Sequence, residues 1–328
     1  MENKLFTYSS SPHVRSPKTT RQIMARVAIA LLPSAIMGIV YFGLTAAIIL
    51  ALSVLSAVAS EYIYLLICKK PLKEINRQFD FSSVVTGLLI GMCIGTNYPV
   101  YTPIFGSAFA IIVVKMLFGG TGKNLVNPAI TGRIFIFISF QTVVGAWVVP
   151  SIASVFGTTV ETGATVIGTI FDGSLANLNS LDLLLGTGVA GCIGETCKVA
   201  LILGGVYLAF EGIINILYPI IYIGVTGLFS CLLFGDIAYF LPTILSGGLI
   251  LGAIFMATDY TTTPNTTLGN VIYFICLGLL TAGLRMATKM EVVSFAILLM
   301  NLVVPLIDKF VINKPFGFSK PKKVKEGK

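Results

Sequence analysis

Gly87-Leu88-Leu89-Ile90-Gly91 is echoed by Gly248-Leu249-Ile250-Leu251-Gly252, and at the same offset of 161 residues Thr102-Pro103 is echoed by Thr263-Pro264. A duplication is the simplest explanation. Both glycine-bounded pentapeptides sit in long apolar runs, and the chain of 328 residues is 55% hydrophobic and 11% charged, with a mean hydropathy of +0.92. Such a composition is too apolar for a soluble fold of this size and defines an integral membrane protein. Crossing about 30 Å of hydrocarbon takes about 20 apolar residues per helix. About ten such runs can be marked: 23–43, 45–67, 81–96, 103–119, 130–150, 183–209, 213–233, 237–257, 270–285 and 291–308. The first is read as a retained span, because some twenty polar residues precede it and no small-residue cleavage site follows.

Charge sets the expected orientation. Of the 22 basic residues, 16 fall in three short segments, 1–26, 69–79 and 309–328, and the formal net charge is +8. All three segments are expected to face the cytoplasm. Both termini on one side require an even number of spans, which ten satisfies, and the lysine-rich tail reads as an anchor at the lipid surface rather than as a nucleic-acid site. The stretch Ile134 to Cys197 holds no lysine or arginine, and 151–182 carries only Glu161, Asp172 and Asp182 as charges, as a translocated loop tends to read. The expected organisation is a cytoplasmic basic tail at 1–22, a five-helix repeat at 23–150, an extracytoplasmic loop at 151–182, a second five-helix repeat at 183–308 and a cytoplasmic Lys-rich tail at 309–328. The two pentapeptides lie five spans apart and must cross in opposite directions, which makes the repeat inverted, as in many transporters. Arg285 and Lys289 then fall outside, against the general rule. A different span count in the second half would also place them.

Glycine and proline interrupt several runs: Gly119-Gly120-Thr121-Gly122, Asn127-Pro128, and the four glycines from Gly186 to Gly194. Broken helices are tolerated in a membrane where the freed backbone lines a cavity, and close packing through small residues is the competing explanation. At 119–128, where Lys123, Asn124 and Asn127 share the break, a binding site is expected. Gly122-Lys123-Asn124 is not a phosphate loop, since Leu117 and Asn124 stand where that pattern needs Gly and Ser or Thr. No H-E-x-x-H, G-x-S-x-G or paired-cysteine metal motif occurs. Cys192 and Cys197 supply two thiolates where clusters and zinc sites usually need four ligands.

Ionisable residues within or beside spans are functional candidates: Glu61, Lys115, Arg133, Glu195, Lys198, Glu211, Asp259 and Arg285. Interfacial snorkelling would account for Lys115 and Arg285, an intramembrane Glu195 to Lys198 pair for those two, and a helix end for Asp259. Glu195 and Arg133 are the candidates to serve an ion or a cofactor. Thr162-Gly163-Ala164-Thr165 fits a [ST]-G-A-[ST] pattern that arises by chance in roughly a few per cent of such chains. In an exposed loop it offers a hydroxyl to receive a phosphoryl group, beside a glycine that lets an enzyme approach the backbone.

Taken together, Phe118 to Asn124, Val126-Asn127-Pro128-Ala129, Gly132-Arg133-Ile134-Phe135, Thr162 to Thr165, Gly194-Glu195-Thr196, Ala257-Thr258-Asp259 and Ser294 to Asp308 resemble a known family nearly end to end. It is that of the RnfD subunit of the Rnf complex, the ion-translocating ferredoxin:NAD oxidoreductase, and more distantly of its membrane counterpart in the sodium-pumping NADH:quinone oxidoreductase. The resemblance implies ten helices in two inverted halves, an architecture shared with ammonium and urea channels. It implies FMN joined by a phosphoester to Thr165 on the extracytoplasmic side, attached by a flavin transferase, and a noncovalent riboflavin in the membrane core near Asn124 and Asn127. Partners implied are a second flavin-bearing subunit and iron-sulfur membrane subunits. One departure stands out: family motifs usually carry an aspartate three residues before the first hydroxyl, where this chain has Thr159. The expectation is a membrane electron-carrier subunit, with a small-solute channel or secondary transporter as the alternative and a structural scaffold as a third.

Overall fold

The structure is a computed structural model that describes residues 18–141, 147–150, 163, 165–173, 179–188 and 190–312. It is all-α: among the described residues the sole β pairing is an isolated bridge between Thr165 and Ala190, and long apolar helices define a polytopic membrane protein.

Helix α1, Thr20–Ile67, opens with a capping box between Thr19 and Gln22 and is interrupted at Gly43, whose φ of 72° and ψ of −157° suit only glycine. At 1.5 Å per residue, 48 helical residues would extend about 72 Å, twice the hydrocarbon thickness. The chain instead reverses there. Ile23 lines a cavity together with Ser82 and Lys115, and Lys115 pairs with Glu61 at 3.0 Å, so both ends of α1 meet at one end of the bundle. Short α2 (Leu72–Gln78) leads to α3 (Ser82–Met92). Small residues let α3 lie against the second arm of α1: a Cβ on Gly87 would stand 2.8 Å from Val54 Cα, and Ser53 Oγ donates to Gly87 O at 2.6 Å.

Helix α4 (Thr102–Phe109) continues as a π-helical stretch over Ala110–Met116. Then come α5 (Pro128–Ser139), α6 (Val166–Phe171), α7 (Ser180–Leu185), α8 (Lys198–Phe210) and α9 (Leu217–Phe234). Helix α10 (Phe240–Leu245) meets α11 (Leu249–Leu251), which runs on as π-helix over Gly252–Met256, across a bend of 68°. Helices α12 (Thr267–Thr288) and α13 (Val293–Phe310) close the chain.

Two predicted spans are shorter than their hydropathy suggests. The run 130–150 stops being helical at Ser139. The run 183–209 contains α7 and α8 separated by an irregular segment, in which Gly186 and Gly188 have φ of 82° and 71°. Backbone groups freed there are satisfied by another break: Ile193 N donates to Ile94 O at 3.1 Å and Gly194 N to Met92 O at 2.8 Å.

Lys115 and Arg285 do not snorkel to an interface. Lys115 is 2% exposed and Arg285 4% exposed. Lys115 Nζ donates to Ser82 Oγ at 2.6 Å, at the start of α3, and to Glu61. Arg285 donates to the carbonyls of Thr243 and Ser246 at the bend after α10 and pairs with Glu291 at 3.1 Å. Each cation ties down a broken helix and is neutralised by a carboxylate. Arg285 therefore counts for little as a topology charge.

Candidate functional site

Two cavities lie at opposite ends of the bundle. The Asn127 cavity is walled by the start of α1, α3, the 119–128 break and the segment after Met256. The Thr165 cavity is walled by the irregular segments 93–98 and 186–197, the inner turns of α5, and the chain around Glu291. Helix α5 serves both, with Asn127 capping its start and Arg133 one and a half turns on.

Thr165 takes the N-cap position of α6, its Oγ1 accepting from Gly168 N at 3.3 Å. It is partly buried rather than freely exposed, and its backbone pairs with Ala190. The motif glycine has a packing reason as well: a Cβ on Gly163 would lie 2.7 Å from Val149 Cγ2. Thr162 and Ala164 lie outside the described residues.

Arg133 and Glu195, singled out separately in the sequence, meet. Arg133 Nη2 stands 3.0 Å from Glu195 Oε1, with Glu195 3% exposed. Glu195 is thus paired with Arg133 and not with Lys198, as helical spacing had suggested, because residues 195–197 precede α8 and follow no helical turn. Both side chains line the Thr165 cavity. The bend after α10 depends on this cluster: a Cβ on Gly248 would collide with the Glu195 carboxylate, and one on Gly247, at φ 55°, with that of Glu291.

At the other end, Asn127 Oδ1 accepts from Ala129 N at 2.9 Å while its Nδ2 donates to Met256 O at 3.1 Å. With its amide turned to satisfy its neighbours, Asn301 accepts from Asn127 N at 3.2 Å and donates to Ile297 O and Tyr273 OH. Asn127 is therefore fully engaged in holding α5, α13 and the segment after Met256. Asn124 is different: it lines the same cavity, and its Oδ1 is buried with no partner. Two carboxyls at this end differ in environment. Burial raises Asp259 above the usual carboxylate range against the hydrogen bonds from Thr261 and Thr262. Burial also works upward on Asp80, but hydrogen bonds from Ser82, the Lys115 charge and Thr121 bring it below that range.

Several wall residues escaped the sequence reading. Cys93 joins Cys192 in the Thr165 cavity, as do Trp147 and Glu291. Glu291 carried a signal, six residues from Arg285 at the opening of an apolar run. Cys93 carried none, because only the fold brings it to Cys192. Among the described residues no three His, Cys, Asp or Glu side chains gather as metal ligands.

The fold and the two opposed cavities define a polytopic α-helical membrane protein built around broken helices. Residues 7–317 match the model of the NQR2, RnfD, RnfE family, and the chain belongs to that family. It is 40% identical over 322 residues to the D subunit of the Na(+)-translocating ferredoxin:NAD(+) oxidoreductase complex of Acetobacterium woodii, covering 97% of each chain. It is 36% identical to the D subunit of the proton-translocating ferredoxin:NAD(+) oxidoreductase complex of Clostridium ljungdahlii, over 97% of this chain and 98% of the relative. It is also 29% identical to the D subunit of the ion-translocating oxidoreductase complex of Actinobacillus succinogenes, over 96% and 98%.

Proposed function

We propose that this chain is the membrane electron-carrier subunit of an ion-translocating oxidoreductase complex of the Rnf type. Within it, electron transfer between ferredoxin and NAD drives Na+ or H+ across the membrane. The chain carries FMN through a phosphoester to Thr165 and holds riboflavin noncovalently in the Asn127 cavity. The observation that carries this reading is that Thr165 lines the same cavity as the buried Arg133–Glu195 pair.

The residues fit the group. Thr165 presents its hydroxyl at the rim of α6, Trp147 and Tyr98 offer aromatic faces, Lys198 offers positive charge, and Arg133, neutralised by Glu195, offers N–H donors. FMN bound there would supply one- and two-electron transfer, which no side chain of this protein provides. Arg133 and Glu195 hold the wall, tying α5 to the segment before α8. In the Asn127 cavity the unpartnered Asn124 carbonyl calls for a hydrogen-bond donor, which a flavin without a phosphate can offer beside a Lys115 that Glu61 already neutralises.

Basic segments support the orientation. Arg21 stacks over Phe81 and Lys70 bonds Gln78, both at the Asn127-cavity end, so that end faces the cytoplasm and the Thr165 cavity opens outward. Two inverted five-helix repeats fit the two tied breaks, one at Ser82 and one at Ser246. Coupling needs an element with two states biased by charge in the cavities, and the breaks at Asn127 and Gly191 are its site. Electrons come from a second flavin-bearing subunit, with iron-sulfur membrane subunits as further partners and a flavin transferase acting during maturation.

The test is direct. After denaturing electrophoresis the wild-type subunit fluoresces under ultraviolet light and Thr165→Ala does not. A dark wild-type band from flavin-transferase-competent cells overturns the proposal and leaves a solute channel on the same fold.

A further inference from the structure

Five ionisable side chains line the Thr165 cavity: Arg133, Lys198 and Lys289 against Glu195 and Glu291. Their pairing is uneven. Arg133 is matched by Glu195 at 3.0 Å, and Glu291 is held from behind by Arg285 at 3.1 Å. Lys289 is exposed at the end of α12. Lys198, the first residue of α8, is 4% exposed, and among the described residues it makes no hydrogen bond and no ion pair within 4.0 Å. Both carboxylates of the wall are paired to arginines and act on Lys198 only from beyond 4.0 Å. A buried ammonium with no matched anion is costly, so a site that keeps one is built to receive negative charge.

The cavity's chemistry narrows what that charge is. The thiols Cys93 and Cys192 bring none when protonated, and the rest of the wall is largely apolar and aromatic. Given the flavin on Thr165, on which this inference rests, negative charge arrives in the cavity when the ring is reduced. Two electrons and one proton taken up by the oxidised isoalloxazine leave one net negative charge, shared between N1 and the C2 carbonyl oxygen. In a medium of low dielectric a nearby cation stabilises that form strongly.

We infer that Lys198 is the electrostatic partner of the reduced flavin ring, raising its midpoint potential. It is a role that neither the Arg133–Glu195 pair nor the Arg285–Glu291 pair fills, since each is neutral as a unit.

The experiment compares wild-type, Lys198→Met, Lys198→Arg and Thr165→Ala forms of the assembled complex. In-gel fluorescence first reports whether the subunit carries flavin. Dithionite titration with optical detection, taken as the difference from the Thr165→Ala complex, then gives the midpoint potential of the flavin on this chain alone. Lys198→Met retains the fluorescent band while its reduced-to-oxidised ratio at a fixed potential falls about ten- to a hundredfold. Lys198→Arg keeps the wild-type ratio within about threefold. Should Lys198→Met not assemble, Lys198→Gln removes the charge but keeps polarity and is read the same way. An unchanged potential in the uncharged variants overturns the inference. So does a loss of the band with the remaining flavin unshifted, which would assign Lys198 to the phosphate. A wild-type complex with no band instead sinks the flavin on Thr165 itself.

Discussion

The two cavities are built from similar parts and finished differently. Each sits where a helix breaks, and each break is tied by a buried cation with a carboxylate behind it, Lys115 with Glu61 at one end and Arg285 with Glu291 at the other. The Asn127 cavity is lined mainly by apolar side chains, with Asp259, the Glu61-paired Lys115 and a few amides and hydroxyls around the unmatched acceptor Asn124 Oδ1. The Thr165 cavity gathers five ionisable groups and a hydroxyl that caps a short helix. Charge and a covalent anchor belong to a ligand that carries a phosphate and changes charge. A mainly apolar pocket whose one cation is already neutralised by Glu61 belongs to one that does neither.

Thr165→Ala breaks the comparison most sharply. Covalent flavin falls to zero at one end, while flavin extracted by acid from the other end is unchanged in amount; parallel loss of both would mean the cavities are not independent. Next in size is Arg133→Met, which leaves the Glu195 carboxylate buried and bare, a change worth about 3–5 kcal/mol. The complex is expected to lose thermal stability or fail to assemble, whereas Glu195→Gln is expected to cost less, because the Arg133 side chain is 14% exposed against 4% for that of Glu195 and keeps an amide oxygen to donate to. Ion pumping by reconstituted Glu195→Gln complex then shows whether the acid lies on the ion path, and unchanged pumping removes it.

Asn124→Ala sharpens the comparison at the other end. It removes one ligand contact without touching the cap of α5, so extractable riboflavin falls about tenfold with the covalent band intact. Full riboflavin occupancy would leave Asn124 no part in binding. The smallest effect concerns Asp259, whose carboxyl is raised by burial. A raised carboxyl stabilises the fold only when protonated, so above its folded pKa the buried charge is a cost. Asp259→Asn is therefore expected to raise the melting temperature of the complex by a few degrees at pH 8 and to lose that advantage as pH falls toward 4. A constant difference across that range would contradict the sign.

Much of this was legible in the sequence for a physical reason: inside a bilayer each span satisfies its own backbone, so hydropathy marks the spans and glycine or proline marks the breaks. Asn127 and Gly186 to Gly194 could be read that way, whereas Gly248 entered only as part of a repeat. Charge pairing could not, since it is a property of packing. Lys115 and Arg285 looked like interfacial anchors and are buried ties. Glu195 looked paired within its own helix and reaches α5. Cys93 and Cys192 meet only because distant breaks face one another, and Asn127 meets Asn301 because α13 packs beside the start of α5. Spans also read too long, since α5 ends at Ser139 while the apolar run in the sequence goes on.

The central claim is the ester on Thr165. Mass spectrometry of the peptide spanning 151–182, cut from complex purified from native membranes, tests it most directly. The account predicts an added mass of FMN less one water, with fragmentation assigning it to Thr165. An unmodified peptide, or the same mass on Thr162, would contradict it.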